Sequence, residues 1–557
     1  MQNRLPLPIG STNYRQISES SYYVDKTLLV KDILNEGSKI VLFTRPRRFG
    51  KTLNMDMLRT FFEKTAEDSS RYFTDKKIWA QGKQYIMHQG QYPVIFLSLK
   101  DIKSSNWKTA FALLKKVIRI EYARHQELED SAELSKADRR LYDNIVNAAA
   151  SDEDYIFSLQ DLSRMLHLHY QKAPIIIIDE YDTPIQEGYI NGYYNDAVEF
   201  IRNFFSSAFK DNEHMSLSIL TGILRIAKES IFSGLNNVRV FSVLDRKFSD
   251  YFGFIADEVR IMAEYYGAVD KLAELKSWYD GYKFGSTEIY NPWSVLNYLA
   301  NDCLAMPFWV QTSGNAVIRE IISSLNSIAC DNLRALLDGV IVESAIETDI
   351  IYPRLKDPQT NIFGFLLMTG YLKSTAMKLD EYGTYICKLS IPNKEIKSIY
   401  RKEILALLTE HVGEGNVYML RQALLNKDIV ALKSALQKFM LKSISYYDGL
   451  QENYYHGLLL GMSIIFENMY YPLSNRESGE GRYDIELKPK NSSMPGIIIE
   501  IKAVAKGSEE RLQEIARMAL EQIESKKYDT EMSMQGITKI YKYGIAFCGK
   551  KVELAVN

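Results

Sequence analysis

Residues 174–179 (PIIIID) place four isoleucines in a row before an acidic residue. A continuous β-branched run without polar alternation predicts a strand that is buried on both faces of a sheet. Four further apolar runs share this character and lie at residues 39–44, 93–99, 217–221 and 238–244. Helical patterns separate these runs, and the alternation of strands with helices predicts a parallel α/β sheet. We expect this domain to span residues 1–255.

The composition excludes several classes of protein. With 46% hydrophobic and 25% charged residues over 557 positions, the chain is neither disordered nor fibrous, and its length suits several domains. The net charge of −2 means that any surface for nucleic acid must be local. The four cysteines form no C-x-x-C pair, which favours reduced thiols over zinc or disulfides. Without a signal peptide or a long apolar run, we expect a soluble, cytoplasmic protein with no membrane partner.

The rest of the chain changes character twice. Residues 256–445 are mainly helical in pattern, with irregular segments expected at 278–282 and 290–293 and a β segment at 385–390. We expect a helical lid and a winged-helix-like module in this region. Residues 446–557 predict a small α/β domain with the order α-β-β-α-β, at residues 452–466, 483–487, 496–501, 508–525 and 539–547.

A candidate phosphate-binding loop follows the first predicted strand. Residues 45–52 (RPRRFGKT) match the pattern G-x-x-x-x-G-K-[ST] at Gly50, Lys51 and Thr52, whereas Arg45 replaces the first glycine. A loop that closes onto a helix N-terminus directs backbone N–H groups at phosphate. Lys51 would reach the β- and γ-phosphates of ATP, and the Thr52 hydroxyl would bind Mg²⁺. The alternative is a chance G-K-T sequence after a strand.

A second motif strengthens the prediction of a nucleotide site. The isoleucine strand ends in Asp179, which would hold Mg²⁺ through water, and Glu180, which would polarise the attacking water. One strand lies between this motif and the phosphate loop, as in additional-strand ATPases. The next strand ends in Thr221, where such folds place a sensor of the γ-phosphate. Arg225 is a candidate sensor or arginine finger, and the alternative for it is a surface salt bridge.

The C-terminal domain carries a different constellation. Asp484 lies sixteen residues before the E-x-K sequence of Glu500, Ile501 and Lys502. Alternate residues of a strand share a face, so Glu500 and Lys502 project together, and a hairpin can bring Asp484 beside them. The two carboxylates and the Ile501 carbonyl would bind Mg²⁺ or Mn²⁺, and Lys502 would orient the water that attacks a phosphodiester. The alternative is an ordinary charged strand edge.

Six strings carry a resemblance to a known family: 23–27 (YVDKT), 45–52, 179–182 (DEYD), 221–237 (TGILRIAKESIFSGLNN), 279–282 (YDGY) and 290–292 (YNP). They resemble the predicted AAA-ATPase-like family of bacterial proteins, whose members often carry a C-terminal PD-(D/E)XK nuclease domain. The resemblance covers nearly the whole chain. It implies a P-loop additional-strand ATPase core, a helical or winged-helix-like middle region and a restriction-endonuclease-like α/β domain. The arginine-rich loop is usual in that family.

The resemblance also assigns roles to further residues. Arg48 would bind nucleotide together with Gly50, Lys51 and Thr52. Tyr23 precedes the phosphate-loop strand, where related ATPases hold the adenine, although core packing is an equal alternative. Gln522 resembles the glutamine that follows the E-x-K strand in many such nucleases and would contact substrate or water. Glu452 and His456 resemble the family's first nuclease helix, and either can equally be a structural residue.

Together these motifs predict an ATP-binding ATPase that regulates a metal-dependent nuclease acting on DNA rather than RNA. A role in defence against phages or mobile elements fits by analogy. A homo-oligomer is compatible, because a neighbouring protomer often supplies an arginine finger. The first alternative is a nucleotide-dependent switch or scaffold that acts through protein contacts, with an inactive or binding-only nuclease fold. The second is a motor on nucleic acid, which the lack of helicase-type motifs disfavours.

Overall fold

The chain divides into two units, each with its own central sheet. The computed structural model describes residues 4–226, 231–232, 237–309, 327–353, 362–412, 414–443, 464–474, 477–478, 481–482, 484–504, 507–549 and 551–557. The N-terminal unit comprises Met1–Gln311 and Gly339–Lys397, and the C-terminal unit comprises Thr312–Asp338 and Ser398–Asn557. The expected domain boundaries at residues 255 and 445 stay predictions. In the described part of the chain, no helix has the length and apolarity needed to cross a membrane.

A five-stranded parallel sheet forms the centre of the N-terminal unit. Its strands are β1 (Ile40–Thr44), β2 (Val94–Ser98), β3 (Ile175–Asp179), β4 (Leu217–Gly222) and β5 (Val238–Phe241). Their spatial order is β2-β3-β4-β1-β5, with every neighbouring pair parallel. All residues of β1 and β3 are buried, as the unbroken apolar runs predict. The expected parallel α/β core is therefore confirmed, and the carboxyl ends of β1, β3 and β4 meet at one edge.

Helices cover this sheet and continue through the rest of the unit. Their bounds are Tyr14–Ser20, Leu28–Glu36, Lys51–Phe62, Lys83–Ile86, Trp107–Arg124, Lys136–Val146, Asp152–Tyr170, Thr183–Asn191, Tyr194–Phe209, Ala256–Tyr266, Leu272–Tyr279, Pro292–Ala300, Phe363–Met368 and Lys394–Val412, the last of which continues into the C-terminal unit. Local chemistry sets several starts. Ser151 and Asp154 form a reciprocal capping box at the start of Asp152–Tyr170.

Short strands accompany the helices after residue 255. The strands Tyr282–Phe284 and Thr287–Ile289 form a hairpin, and a two-residue strand Arg225–Ile226 pairs with Asp349–Ile350. An antiparallel sheet has the order Lys373–Leu379, Tyr385–Ser390, Val342–Ile346, which confirms the β segment expected at 385–390.

Two segments that we expected to be irregular contain regular structure in part. Residues 278–282 include the end of helix Leu272–Tyr279 and the start of the Tyr282–Phe284 hairpin strand. Residues 290–293 include a helix start, because the Asn291 side chain accepts from the Ser294 N–H and Pro292 is the first helical residue. Asparagine at the cap and proline at the first position are favoured helix signals, so this helix start is encoded locally.

A mixed sheet forms the centre of the C-terminal unit. Its strands are β6 (Tyr470–Ser474), β7 (Ile485–Pro489), β8 (Gly496–Ala503), β9 (Ile540–Cys548) and β10 (Lys551–Val556), in that spatial order. Only β8 and β9 are parallel to each other among these pairs. We did not predict β6 or β10, and β7 begins two residues later than expected. Short strands Glu477–Ser478 and Gly481–Arg482 pair with each other.

Helices pack on both faces of this mixed sheet. On one face, Leu424 and Leu436 from Glu414–Asn426 and Ile429–Ser443 join a buried cluster with Ile497 of β8. On the other face, Ile523 from Glu509–Ser525 packs with Ile498 of β8. The unit also contains Ser327–Leu337 and Thr530–Met534. The helix expected at 452–466, with Glu452 and His456, lies outside the described residues except for 464–466.

Candidate functional site

The loop between β1 and helix Lys51–Phe62 has the form of a phosphate cradle. Gly50 adopts a φ of +79° at the cap position, and no atom lies within 4 Å of the place a Cβ would take. The space beside Gly50 is therefore open, and the N–H groups at a helix N-terminus are donors that suit an anion. Lys51 is only 4% exposed, and its Nζ donates to the carbonyl oxygens of Arg45 (3.1 Å) and Pro46 (3.0 Å). The predicted loop residues Gly50 and Lys51 thus lie together at the end of β1.

Three side chains from three elements converge at the end of β3. The Thr52 hydroxyl donates to Asp179 Oδ2 over 2.7 Å, and the Thr221 hydroxyl donates to Asp179 Oδ1 over 2.6 Å. Asp179 is fully buried, and this burial raises the pKa of its carboxyl group. The structure therefore brings together the three residues that we predicted on the phosphate loop, the acidic strand end and the sensor strand.

Glu180 stands beside this cluster in a conformation that side chains rarely adopt. Its φ is +53°, and its backbone N–H faces Thr221 Oγ1 at 3.4 Å. The Thr183 hydroxyl donates to Glu180 Oε2 over 3.3 Å, so the first turn of helix Thr183–Asn191 holds the carboxylate. Glu180 is thus positioned at the same sheet edge as Asp179, as the motif predicts.

Tyr181 and Asp182, which follow Glu180, hold the backbone after β4 by hydrogen bonds. We assigned neither residue a role from the sequence. Asp182 is 1% exposed, and its Oδ2 accepts from the N–H groups of Ile223 (2.8 Å) and Leu224 (3.0 Å). The Tyr181 hydroxyl donates to the Leu224 carbonyl over 2.7 Å. A side chain at Gly222 would meet the Tyr181 ring at 2.6 Å. The string DEYD was visible in the sequence, but only the folded chain shows what its last two residues bind.

The three arginines of the phosphate loop point to three different places. Arg45 is fully buried and donates to the carbonyl oxygens of Thr44 (2.9 Å), Phe241 (2.8 Å) and Phe248 (3.2 Å). Burial lowers the pKa of Arg45 to about 10. Arg45 is therefore part of the core beneath the loop, and its place in the pattern does not require the backbone freedom of glycine. The left-handed conformation falls instead on Arg48, with a φ of +68°.

Arg48 and Arg47 leave the loop in different directions. The Arg48 guanidinium stacks on Trp293, with Cζ 3.9 Å from the ring centroid, and burial lowers its pKa to about 10. The contacts of Arg48 thus include a stack on Trp293, whereas we predicted it to bind nucleotide. Arg47 Nη2 donates to Gln186 Oε1 over 3.0 Å, on helix Thr183–Asn191.

Arg225 and Tyr23, which we predicted to contact nucleotide, contact other residues of the chain in this structure. Arg225 Nε forms an ion pair with Asp349 over 2.9 Å, in the two-stranded pairing described above. The Tyr23 ring packs edge-on against Tyr14 at 5.3 Å, and its hydroxyl accepts from the Lys26 N–H. Burial raises the pKa of Tyr23. Both contacts match the alternatives that we stated from the sequence, which were a salt bridge for Arg225 and core packing for Tyr23.

The second cluster lies in the C-terminal unit on β8 and the helix beside it. Glu500 is 2% exposed, and its Oε1 accepts from Lys502 Nζ (2.7 Å) and from Gln522 Nε2 (2.6 Å). Burial raises the pKa of Glu500 and the Asp484 carboxylate raises it further, whereas the Lys502 ammonium and the Asp484 backbone N–H lower it. Glu500 Oε2 is buried without a hydrogen-bond donor among the described residues. The predicted Glu500, Lys502 and Gln522 are thus in direct contact.

Asp484 joins this cluster through the hairpin of β7 and β8. The register pairs Ile485 with Ile499, so Asp484 and Glu500 occupy the next opposed positions. Asp484 Oδ2 accepts from the Ile501 N–H over 2.6 Å. Two further residues on this side were not predicted. Gln522 Nε2 also faces the Tyr528 hydroxyl at 3.2 Å, and Glu486 is fully buried two residues after Asp484. Because alternate residues of a strand share a face, the sequence could have placed Glu486 of β7 on the same face as Asp484.

The donor atoms suit the groups that the motifs imply. Glu500 Oε2 is a buried carboxylate oxygen that lacks a partner in the described chain, and Mg²⁺ and Mn²⁺ favour such oxygens. Asp484 and the Ile501 carbonyl would complete a set of hard ligands. Within the described ranges no three His, Cys, Asp or Glu side chains form a metal cluster, so this set depends on two carboxylates and a backbone oxygen. At the other site, the open space beside Gly50 and the buried Lys51 suit phosphate.

The fold and the two clusters define a chain that joins a P-loop core to a restriction-endonuclease-like domain. Residues 8–232 match the family described as Predicted AAA-ATPase, and residues 450–556 match the PD-(D/E)XK nuclease superfamily. These two matched regions agree with the architecture that the resemblance implied, an AAA-ATPase-like region followed by a C-terminal PD-(D/E)XK region. The chain is also 23% identical over 490 residues to a protein described as "Uncharacterized protein in vnfD 5'region" from Azotobacter chroococcum mcd 1. The aligned region covers 84% of this chain and 85% of that protein.

Proposed function

We propose that this protein binds and hydrolyses ATP and that ATP regulates a metal-dependent nuclease in the same chain. The observation that carries the proposal is the buried Glu500 carboxylate, which uses one oxygen for Lys502 and Gln522 and keeps the other without a donor. A buried carboxylate oxygen without a donor is costly, and a bound cation would compensate that cost. The match to the PD-(D/E)XK superfamily supports the same conclusion.

The C-terminal residues have separate tasks in this proposal. Asp484, Glu500 and the Ile501 carbonyl would hold Mg²⁺ or Mn²⁺, which supplies water activation and stabilises the leaving oxygen. Lys502 is anchored on Glu500 and is 38% exposed, so its ammonium can orient a water molecule and face a phosphate from solvent. Gln522 fixes the Glu500 carboxylate from the adjacent helix and would contact substrate or water.

The N-terminal residues would handle the nucleotide. Gly50 and Lys51 would receive the β- and γ-phosphates, and Thr52 with Asp179 would hold Mg²⁺. Glu180 would polarise the attacking water, and Thr221 would sense the γ-phosphate through Asp179. Arg48, Arg225 and Tyr23 would also contact the nucleotide, and their present partners are Trp293, Asp349 and Tyr14, respectively.

The finer parts of the proposal follow from the chemistry of the two domains. We assign residues 1–255 to the ATPase, 256–445 to a lid and winged-helix-like region, and 446–557 to the nuclease. The substrate is nucleic acid, with DNA favoured over RNA, and contacts to phosphates would make binding sensitive to salt. A cytoplasmic homo-oligomer that acts against phages or mobile elements fits an ATP-controlled nuclease.

Cleavage by the purified full-length protein tests the proposal. Supercoiled, linear and single-stranded DNA and RNA are incubated with Mg²⁺ or Mn²⁺, with and without ATP. Glu500→Gln removes the carboxylate at nearly constant volume. Glu521→Gln is the matched control, because Glu521 is an exposed carboxylate next to Gln522 on the same helix. Lys51→Ala tests whether any effect of ATP acts through the phosphate loop.

We expect metal-dependent cleavage in the wild type and in Glu521→Gln, and none in Glu500→Gln. An ATP effect that is absent in Lys51→Ala would support regulation through the N-terminal site. Equal cleavage by Glu500→Gln would contradict the assignment of the nuclease site. No cleavage of any substrate, beside tight ATP binding, would favour the alternative of a nucleotide-dependent switch.

A further inference from the structure

Arg47 is the loop arginine held on the helix that also holds the Glu180 carboxylate. Its Nη2 donates to Gln186 Oε1 over 3.0 Å, and Gln186 lies on helix Thr183–Asn191. Thr183, which donates to Glu180 Oε2, lies three residues earlier on that helix. Residues i and i+3 of a helix lie on the same face. The Arg47 guanidinium and the Glu180 carboxylate are therefore anchored on one helical face, immediately after the acidic end of β3.

The electrostatics of Lys51 agree with this placement. Burial lowers the pKa of Lys51, the Glu180 carboxylate opposes that effect, and the charge of Arg47 adds to it. Both side chains thus act on the buried amine of Lys51. A terminal phosphate that met Lys51 and faced Glu180 would arrive beside the Arg47 guanidinium. By contrast, Arg45 is in the core and Arg48 stacks on Trp293.

We propose that Arg47 is a catalytic arginine that contacts the γ-phosphoryl group of ATP, supplied in cis by the phosphate loop, and that Gln186 holds it while the site is empty. This inference rests on the proposed ATPase function. In the reaction, the bond from the γ-phosphorus to the bridging oxygen of ADP breaks, a bond to the oxygen of water forms, and the proton of that water passes through Glu180 to the released phosphate. Arg47 donates N–H groups to the equatorial oxygens as their charge redistributes.

The hydrogen bond from Arg47 to Gln186 suits a side chain that must change contacts. A hydrogen bond to a neutral amide is weaker than one to a carboxylate, so a phosphate competes readily for the Nη2 that Gln186 holds. Arg225, which we first considered for this role, is paired with the Asp349 carboxylate. A charged partner holds its guanidinium more strongly than an amide does. The place of Arg47 on the phosphate loop and its anchor on the helix that holds Glu180 favour it over Arg225.

Four full-length variants test the inference, with ATP affinity and kcat measured separately. Arg47→Lys keeps the charge but loses the planar fork. We expect kcat to fall roughly 10- to 1,000-fold, with ATP affinity changed less than about threefold, because the contact strengthens in the transition state. Arg59→Lys is the control, since Arg59 lies on helix Lys51–Phe62 but pairs with Glu63. We expect its kcat to match the wild type.

The third and fourth variants keep Arg47 and test its release. Gln186→Glu would replace the neutral acceptor with a carboxylate and retain Arg47 in an ion pair. We expect a lower kcat that recovers as ionic strength rises, because salt screens the pair. Glu187→Gln, a neighbouring helix position, serves as the charge control and is expected to show no such salt response.

The outcomes separate this inference from the function on which it rests. A wild type that does not hydrolyse ATP would contradict both. A wild type that hydrolyses ATP, together with Arg47→Lys within about twofold of its kcat, would overturn only the role of Arg47. If Arg47→Lys does not fold, a Gln186→Glu variant with wild-type kcat at low salt would overturn it instead.

Discussion

Thr52 and Asp179 are 127 positions apart in sequence, yet the Thr52 hydroxyl donates to Asp179 Oδ2 over 2.7 Å. The first turn of helix Lys51–Phe62 and the end of β3 supply them, and Thr221 completes the arrangement from β4. Parallel strands whose carboxyl ends share an edge make this meeting possible. A cation bound to both oxygens would replace a hydrogen bond that already sets their separation.

Thr52→Val should weaken Mg²⁺-ATP binding about tenfold, because it removes one oxygen ligand at nearly constant volume. Binding of ATP in excess EDTA should change much less, since the phosphates still meet Lys51 and the loop N–H groups. Titration of a fluorescent ATP analogue measures both. Thr60→Val is the control on the same helix, where the hydroxyl donates to the Asp56 carbonyl. Equal loss with and without Mg²⁺ would refute the ligand role of Thr52.

Arg45→Gly, which restores the glycine of the common pattern, should destabilise the N-terminal unit. It removes three hydrogen bonds to carbonyl oxygens and leaves a buried cavity, at a cost of about 2–5 kcal/mol in the free energy of unfolding. ATP affinity should fall as well, because the loop loses its support. Calorimetry shows the shift, and Arg71→Ala at an exposed site should leave the transition unchanged. A more stable Arg45→Gly protein would contradict the role of Arg45 in the core.

Glu500 should make the metal-free C-terminal unit less stable as pH rises. Its raised pKa means that the folded state keeps a proton which the unfolded state releases, so the free energy of unfolding falls as pH rises between the two pKa values. In EDTA, the unfolding midpoint of wild type should therefore drop relative to Glu500→Gln as pH rises above the ordinary pKa of a glutamate, about pH 4. Added Mg²⁺ should reverse the drop in wild type alone. Parallel pH profiles of the two proteins would disprove the raised pKa.

Gln522→Ala should lower the rate of metal-dependent cleavage about tenfold while Glu500→Gln abolishes it, because Gln522 orients a ligand without being one. Tyr528→Phe should have a smaller effect, since the Gln522 amide keeps its bond to Glu500. Cleavage rates across a Mn²⁺ titration separate lost affinity from lost turnover. Gln535→Ala, an exposed glutamine, is the control. Complete loss in Gln522→Ala at saturating Mn²⁺ would indicate a direct role in the chemistry.

The central strands were predictable because burial on both faces leaves a clear pattern. Runs such as 174–179 need no knowledge of their neighbours, and each is a strand whose ends lie within three residues of the predicted ends. The strands β6 and β10 lack that pattern. Their composition is mixed, and they are strands because β7 and β9 offer them partners. Such edge strands depend on tertiary pairing more than on local preference.

The sites were predictable to the extent that a motif fixes backbone positions. Lys51, Thr52 and Asp179 follow from the strand and helix boundaries, and Glu500 and Lys502 follow from strand alternation. The contacts of Arg45, Arg47 and Arg48 could not be predicted from the sequence, because three identical side chains within four residues do not show which way each one points. The contact between Gln522 and Tyr528 depends on how the chain turns after helix Glu509–Ser525, which spacing alone does not show.

Arg45 belongs both to the phosphate loop and to the hydrophobic core, so a change in one affects the other. Its guanidinium lies between the rings of Phe252 and Phe284 at 5.2 Å from each, so the residue that begins the loop also fills the space beneath it. A descendant of this chain that lost all use for nucleotide would still lose about 2–5 kcal/mol of stability on losing this arginine. An arginine at position 45 therefore indicates a structural requirement and not nucleotide binding. The Thr52 hydroxyl and the Glu180 carboxylate are better indicators that nucleotide chemistry is retained.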